Sequence, residues 1–347
     1  MSIRIIIALM NPLFKKILWS VLAALAALAL VITAITVFSG DEEDTDATPN
    51  PSPSVTREGM TGVIQVVTST NVWASVIELV GGDWVEVTTI IDNVTQDPHS
   101  YEASARDQLA VQDAELVIAN GGGYDEFMDQ LVSAATGDRV FLELVEGEHS
   151  HSDEDADHDE TDADTASEDA HDDHGNEHIW YDLHAVSAAA ELIVEAINEL
   201  RPEAFDDVNA NYDFLESELE NLELRVEALR DRALGLGVIA TEGVGNLMLE
   251  DAGFENLTPD ALADAVEEER DVPLTALENA KSLLTNKLAV LLVVNVQVED
   301  SASAELIRAA EAAGIPVVSL SETIPSEDLD YLDWMASVVD ELQEAIY

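Results

Sequence analysis

The sequence contains no cysteine. That excludes disulfides, thiolate metal sites and a lipid attached through a lipobox cysteine. Cations are scarce too: 14 Lys and Arg stand against 72 Asp and Glu, for a formal net charge of −58. Three of those cations, Arg4, Lys15 and Lys16, fall within the first 40 residues. Binding to nucleic acid needs clustered Lys and Arg that displace counterions from phosphate, so no nucleic acid partner is expected. The same field concentrates multivalent cations and repels itself, a halophilic-type acidic surface that is tolerable when salt or bound metal screens it. Aromatics are few, at 5%, yet apolar residues reach 47% and charged residues 25%. Those fractions lie near the globular norm, so global disorder is excluded and 347 residues suffice for about two domains. No repeat at a fixed period is visible, which argues against a solenoid.

What is present divides the chain. Lys15-Lys16 precede an uncharged, mainly apolar run from Ile17 to Phe38, which would span about 33 Å as a helix, enough to cross a bilayer core. Residues 1–40 therefore read as a signal peptide or membrane anchor. The length favours an uncleaved anchor, and Val37-Phe38-Ser39 offers a cleavage site near Ser39 as the alternative. Residues 41–60 form an acidic Pro/Ser linker that cannot bury a core. From there β-rich and amphipathic runs alternate, which argues for parallel βαβ units: an α/β fold with a first lobe over 61–201. Residues 146–177, almost all Asp, Glu, His, Ser, Thr and Ala, read as a solvated insertion in it. Pro202 opens a helix to about Leu234, with Phe205, Val208, Tyr212, Leu215, Leu219 and Leu222 at spacings of three and four. A second α/β lobe follows over 235–347, with the buried-strand run Ala289–Asn295 at its centre.

Two segments carry chemistry. Asp97-Pro98-His99-Ser100-Tyr101-Glu102 lies between a strand and a helix, where loops of open α/β sheets face the ligand crevice, so His99 is a candidate ligand. Asn176-Glu177-His178-Ile179-Trp180-Tyr181-Asp182 presents a second imidazole beside hydrogen-bonding groups that fix its tautomer. Two other patterns carry less. His174-Gly175-Asn176-Glu177-His178 fits H-x-x-E-H, but Gly175-Asn176 after an acidic run makes a poor helix for a protease motif. Gly121-Gly122-Gly123 lacks the Lys-Ser/Thr of a phosphate loop and reads as a tight strand-to-helix turn. His184 is assigned a surface helix position.

Taken together, the stretches Asp97–Asp107, Asn120–Met128, Glu177–Asp182 and Ala240–Gly245, the acidic His-bearing insertion and the long central helix resemble the zinc/manganese-type solute-binding proteins of ABC importers. The resemblance covers roughly Val63 to Ile346. It implies two parallel-sheet α/β lobes joined by one long helix, with a metal cleft between them. It also implies four metal ligands, which map to His99, His178, Glu242 and Glu322. Glu242 stands in Thr-Glu-Gly, like the manganese-type members, where many zinc members have His-Asp. Glu322 stands in the place of a family Asp. Two imidazoles and two carboxylates suit Zn²⁺ or Mn²⁺ and disfavour Cu⁺. His149, His151, His158, His171 and His174 in the insertion resemble an accessory zinc-gathering loop and tip the expectation to zinc, with manganese as the alternative.

The expected protein is a monomeric extracytoplasmic receptor, tethered to the outer face of the membrane by residues 17–38 or secreted. It would deliver its ion to an ABC permease and its ATPase subunit and catalyse nothing. The competing classes are a zinc-dependent hydrolase, which needs an open coordination position and a base, and a metal-buffering or adhesive surface protein acting through the insertion.

Overall fold

The computed structural model describes residues 62–145, 176–267, 270–298 and 300–347. The apolar run 17–38, the linker 41–60 and nearly all of the insertion, including its five histidines, lie outside them. Among the described residues no helix is long and apolar enough to cross a membrane.

The first sheet contains β1 (Ile64–Thr70), β2 (Val85–Ile91), β3 (Leu116–Gly121) and β4 (Val140–Val145), all parallel in the order β2-β1-β3-β4. Its β-branched strands alternate between two cores as a period of two requires. Ile64, Val66, Leu116 and Ile118 face one side, and Val67, Val117 and Ala119 face the other. The helices of this half are α1 (Asn71–Gly81), α2 (Ala105–Asp113), α3 (Phe127–Ala134) and α4 (Leu183–Leu200). Helix α2 starts at a capping box: Ser104 accepts from the amides of Arg106 and Asp107, while the Asp107 carboxylate takes the Ser104 amide at 2.6 Å.

A 3₁₀ turn at Pro202–Ala204 leads into α5 (Phe205–Ala233), 29 residues long. Val208, Leu215, Leu219, Leu222, Val226 and Leu229 form its buried stripe. Phe205, expected on that stripe, is the first residue of the helix and is 56% exposed.

The second sheet repeats the first: β5 (Gly237–Ala240), β6 (Glu255–Asn256), β7 (Ala289–Asn295) and β8 (Val317–Leu320) run parallel in the order β6-β5-β7-β8. Its helices are α6 (Asn246–Asp251), α7 (Asp260–Glu267), α8 (Leu274–Thr285), α9 (Ser301–Ala313) and α10 (Tyr331–Ala345). Strand β7 is apolar on both faces, as a central parallel strand must be: Leu291 and Val293 face one core, Leu292 and Val294 the other.

One apolar cluster is shared by the lobes. It contains Val66 and Ile118 of the first sheet, Leu215 and Leu222 of α5, Val238 and Val293 of the second sheet, and Trp334 and Met335 of α10. Polar ties run alongside it. Asn71 both donates to the Ile324 carbonyl and accepts from its amide at 2.9 Å, and the Tyr331 hydroxyl donates to the Trp180 carbonyl at 2.7 Å. In each sheet the chain order reverses between the first and third strands. The crevice outside the carboxyl ends there is where an open α/β sheet places its ligand.

Candidate metal site

Each segment that reaches the cleft follows the carboxyl end of a strand. After β2, Asp97 accepts the His99 amide at 2.9 Å and the Ser100 hydroxyl at 2.8 Å, an Asx turn that presents the imidazole. The His99 ring stands edge-on to Tyr124, with centroids 5.0 Å apart.

After β3, the Asp125 carboxylate accepts the amides of Asn120 (2.7 Å) and Gly121 (2.9 Å). An acidic side chain thus fills the position a phosphate would take, and the glycine run is a turn. Gly121 has φ 80°, and a Cβ there would come within 2.3 Å of the Val145 carbonyl oxygen, so only glycine fits. The Asn120 amide receives Trp73 Nε1 at 3.1 Å and donates to the Glu177 carbonyl at 2.9 Å, fixing the chain where it returns after β4.

Asn176, which the sequence pattern assigns to the insertion, belongs to the site. Its Oδ1 lies 2.9 Å from both the amide and Nδ1 of His178, and its Nδ2 donates to the Gly243 carbonyl at 2.9 Å in the second lobe. Since Nδ2 is spent on a carbonyl, the atom facing the imidazole is an acceptor. Nδ1 therefore carries the ring proton and Nε2 keeps a lone pair for an ion. His178 is fully buried, and burial, aided by the charge of His99, lowers its pKa to about 3. The ring is neutral, as a ligand must be.

The second lobe supplies carboxylates. Glu242 follows β5 and Glu322 follows β8, each only 2% exposed. Asn295, the last residue of β7, donates to Glu322 Oε1 at 2.6 Å, and Gln297 Oε1 accepts the amides of Glu322 (2.7 Å) and Thr323 (3.0 Å). Oε1 of Glu242 and Oε2 of Glu322 are buried without a hydrogen bond of good geometry among the described residues, and the buried Tyr124 hydroxyl, likewise without one, interacts with Glu322. Burial, reinforced by the charge of Glu322, pushes Glu242 well above the usual carboxylate range. Burial likewise raises Glu322 to about 7, opposed by His99. Buried acids without partners are costly unless something positive joins them, and these orphaned oxygens fit a divalent cation.

The four residues implied by the sequence resemblance do not form one tight knot. The rings of His99 and His178 lie 6.4 Å apart, and in the cleft the donor atoms that all fall within 4.8 Å of one another belong to His99, Glu177 and His178; Asp182, His184 and Asp251 form a second, separate group of this kind. Glu242 and Glu322 lie outside that trio, coupled by charge to each other, and Glu322 is coupled to His99.

Sequence reasoning missed two neighbours. Asn295 was signalled only as a polar residue ending a buried apolar strand. Glu267, at the end of α7, accepts the Gly243 amide at 3.3 Å, and burial and Glu177 raise it to about 7. Nothing in its acidic surroundings marks it out. His184 lies 3.6 Å from Glu223 with its side chain 76% exposed. A cavity of about 690 Å³ lined by Tyr181, His184, Glu220, Glu227 and Asp251 includes none of His99, His178, Glu242 and Glu322.

Two parallel-sheet lobes joined by one long helix, with imidazoles from one lobe facing carboxylates from the other, define a two-lobed solute-binding architecture. Residues 66–345 match the sequence model of the family described as zinc-uptake complex component A, periplasmic, or ZnuA. The chain belongs to this family.

Among solved structures, a crystal structure of ZnuA superposes with a TM-score of 0.64 at 18% identity, covering 82% of this chain and 100% of that one. The periplasmic zinc-binding protein TroA from Treponema pallidum gives 0.64 at 15% identity, covering 82% and 99%. The laminin-binding adhesin Lmb from Streptococcus agalactiae, in a mutant form, gives 0.63 at 17% identity, covering 82% and 100%. At these identities the likeness is one of fold. A manganese-binding lipoprotein, MntA of Halalkalibacterium halodurans, is 35% identical over 69 residues, which is 20% of this chain and 23% of the relative's length.

Proposed function

We propose that this protein is an extracytoplasmic receptor that holds one divalent metal ion in the cleft between its lobes and passes it to an ABC permease driven by an ATPase. The observation that carries the reading is the pair of orphaned oxygens on the buried Glu242 and Glu322, opposite a neutral imidazole whose Nδ1 is already engaged. His99 and His178 would supply nitrogen, and Glu242 and Glu322 oxygen. Two carboxylates balance the charge of a 2+ ion, which makes its burial tolerable. Four protein donors leave no open position of the kind a hydrolytic metal centre needs, so the role is capture and release without catalysis. Tethering by residues 17–38 or secretion after cleavage, and action as a monomer, complete the reading.

The His-bearing insertion supports zinc as the cargo. Manganese is a second reading, favoured by the surplus of carboxylates at the site, since oxygen donors suit Mn²⁺ and imidazole suits Zn²⁺. The test is metal analysis of the full-length protein followed by zinc–manganese competition, with His99→Ala and His178→Ala alongside. One ion per chain is expected, held about tenfold or more weakly in each variant. Unchanged affinity in either variant would remove that imidazole from the site.

A further inference from the structure

We infer that Glu177 is a fifth cation donor and the residue that tilts the site towards manganese. This deepens the receptor reading and rests on it. Oε1 of Glu177 stands 3.7 Å from Nε2 of His99, and its carboxylate shares the 4.8 Å group with His99 and His178. Donors around one ion at bond lengths of about 2.1 Å are separated by roughly 3 to 4 Å, so this spacing needs little adjustment to close on a cation.

The residue is held in place. Its carbonyl accepts from Asn120 Nδ2 at 2.9 Å and from the Ile179 amide at 2.8 Å, and its side chain is only 16% exposed. Consecutive side chains on a strand point to opposite faces. Here His178 has φ −75° and ψ 46° at the start of the 3₁₀ turn Ile179–Tyr181, and this bend lets Glu177 and His178 address the same point.

With Glu177 included the shell has two nitrogens and three carboxylates. An oxygen majority favours Mn²⁺, a harder ion that accepts more than four donors, over Zn²⁺, which closed protein sites hold with four. Glu267, which accepts the Gly243 amide and whose carboxyl hydrogen-bonds to that of Glu177, braces the Glu177 side chain from behind.

The test compares the full-length parent with Glu177→Gln, a near-isosteric change that keeps the packing. Zn²⁺ and Mn²⁺ affinities are measured by competition, and Co²⁺ serves as a spectroscopic probe of coordination. Glu177→Gln is expected to weaken Mn²⁺ binding about tenfold or more and Zn²⁺ binding less than about threefold. Visible Co²⁺ absorption should strengthen as a five-donor shell becomes four, and the metal-free melting temperature should stay that of the parent. Parent-like affinities with an unchanged Co²⁺ spectrum would overturn the inference while leaving the receptor reading intact. Equal losses for both metals with an unchanged spectrum would also overturn it, showing a merely structural role. A parent that binds neither metal would overturn the receptor reading and this inference with it.

Discussion

Asn295 donates to one oxygen of Glu322 at 2.6 Å and leaves the other without a hydrogen bond of good geometry. A single amide thus both anchors the carboxylate and aims its free oxygen. Replacing it by Ala should cost metal-free stability roughly 1–3 kcal/mol at pH 8, where Glu322 is ionised and loses a hydrogen bond while still buried. The loss should shrink at pH 5.5, where Glu322 is protonated. Denaturant unfolding at the two pH values checks this, and an equal loss at both would assign Asn295 a packing role only.

Buried carboxyls, and not His178, contribute to the pH dependence of binding. Free imidazole titrates near ~6.5, but His178 is held at about 3 and stays neutral. Glu322, raised to about 7, and Glu242, pushed well above the usual carboxylate range, are groups that must lose a proton for an ion to bind. Affinity should therefore rise with pH through about 7, with proton release on binding. In the metal-free protein the sign is opposite. Because the folded pKa of Glu322 exceeds its unfolded value, its contribution to stability is fully present below about 4.5 and is lost as pH rises through about 7, and Glu242, raised further, acts in the same direction. Calorimetry in buffers of different ionisation enthalpy counts the protons, and Glu322→Gln should lower the number released and make both profiles shallower near pH 7. No proton release at pH 6 would contradict the assignment.

Exchanging Glu242 for His substitutes a softer donor for a harder one. Zinc affinity relative to manganese should rise. An unchanged ratio, together with parent-like binding by Glu242→Ala, would take Glu242 out of the site.

Deleting residues 147–175, with their five histidines, should abolish weak zinc sites and spare the tight one. A stoichiometric titration distinguishes this from a buffering protein, in which most of the capacity would disappear.

The α/β alternation, the long helix and the positions of His99 and His178 were legible because they rest on local signals: β-branched runs, spacings of three and four, and polar motifs at strand ends. Strand β4 (Val140–Val145) was not. It is a sheet edge, half-buried along its whole length, so its sequence shows no run of buried positions. Strand β6 is two exposed residues paired only through β5. At the site, Glu267 reaches Gly243 from the end of a helix that follows β6, a contact made by tertiary folding with no local pattern. The assigned insertion 146–177 overlaps the motif that begins at Asn176. Asn176 and Glu177 are polar like their predecessors, and their bonds to Gly243 and Asn120 join them to the folded site.

The apolar cluster running from Val66 through α5 to Val293 and Met335 belongs to neither lobe alone. Melting one sheet would strip water-excluding cover from the other, so neither half has a private melting transition. Heating should give a single calorimetric peak whose van't Hoff and calorimetric enthalpies agree. Backbone amides of Ile118 and Val293, at the centres of different sheets, should exchange with solvent only through the same global opening.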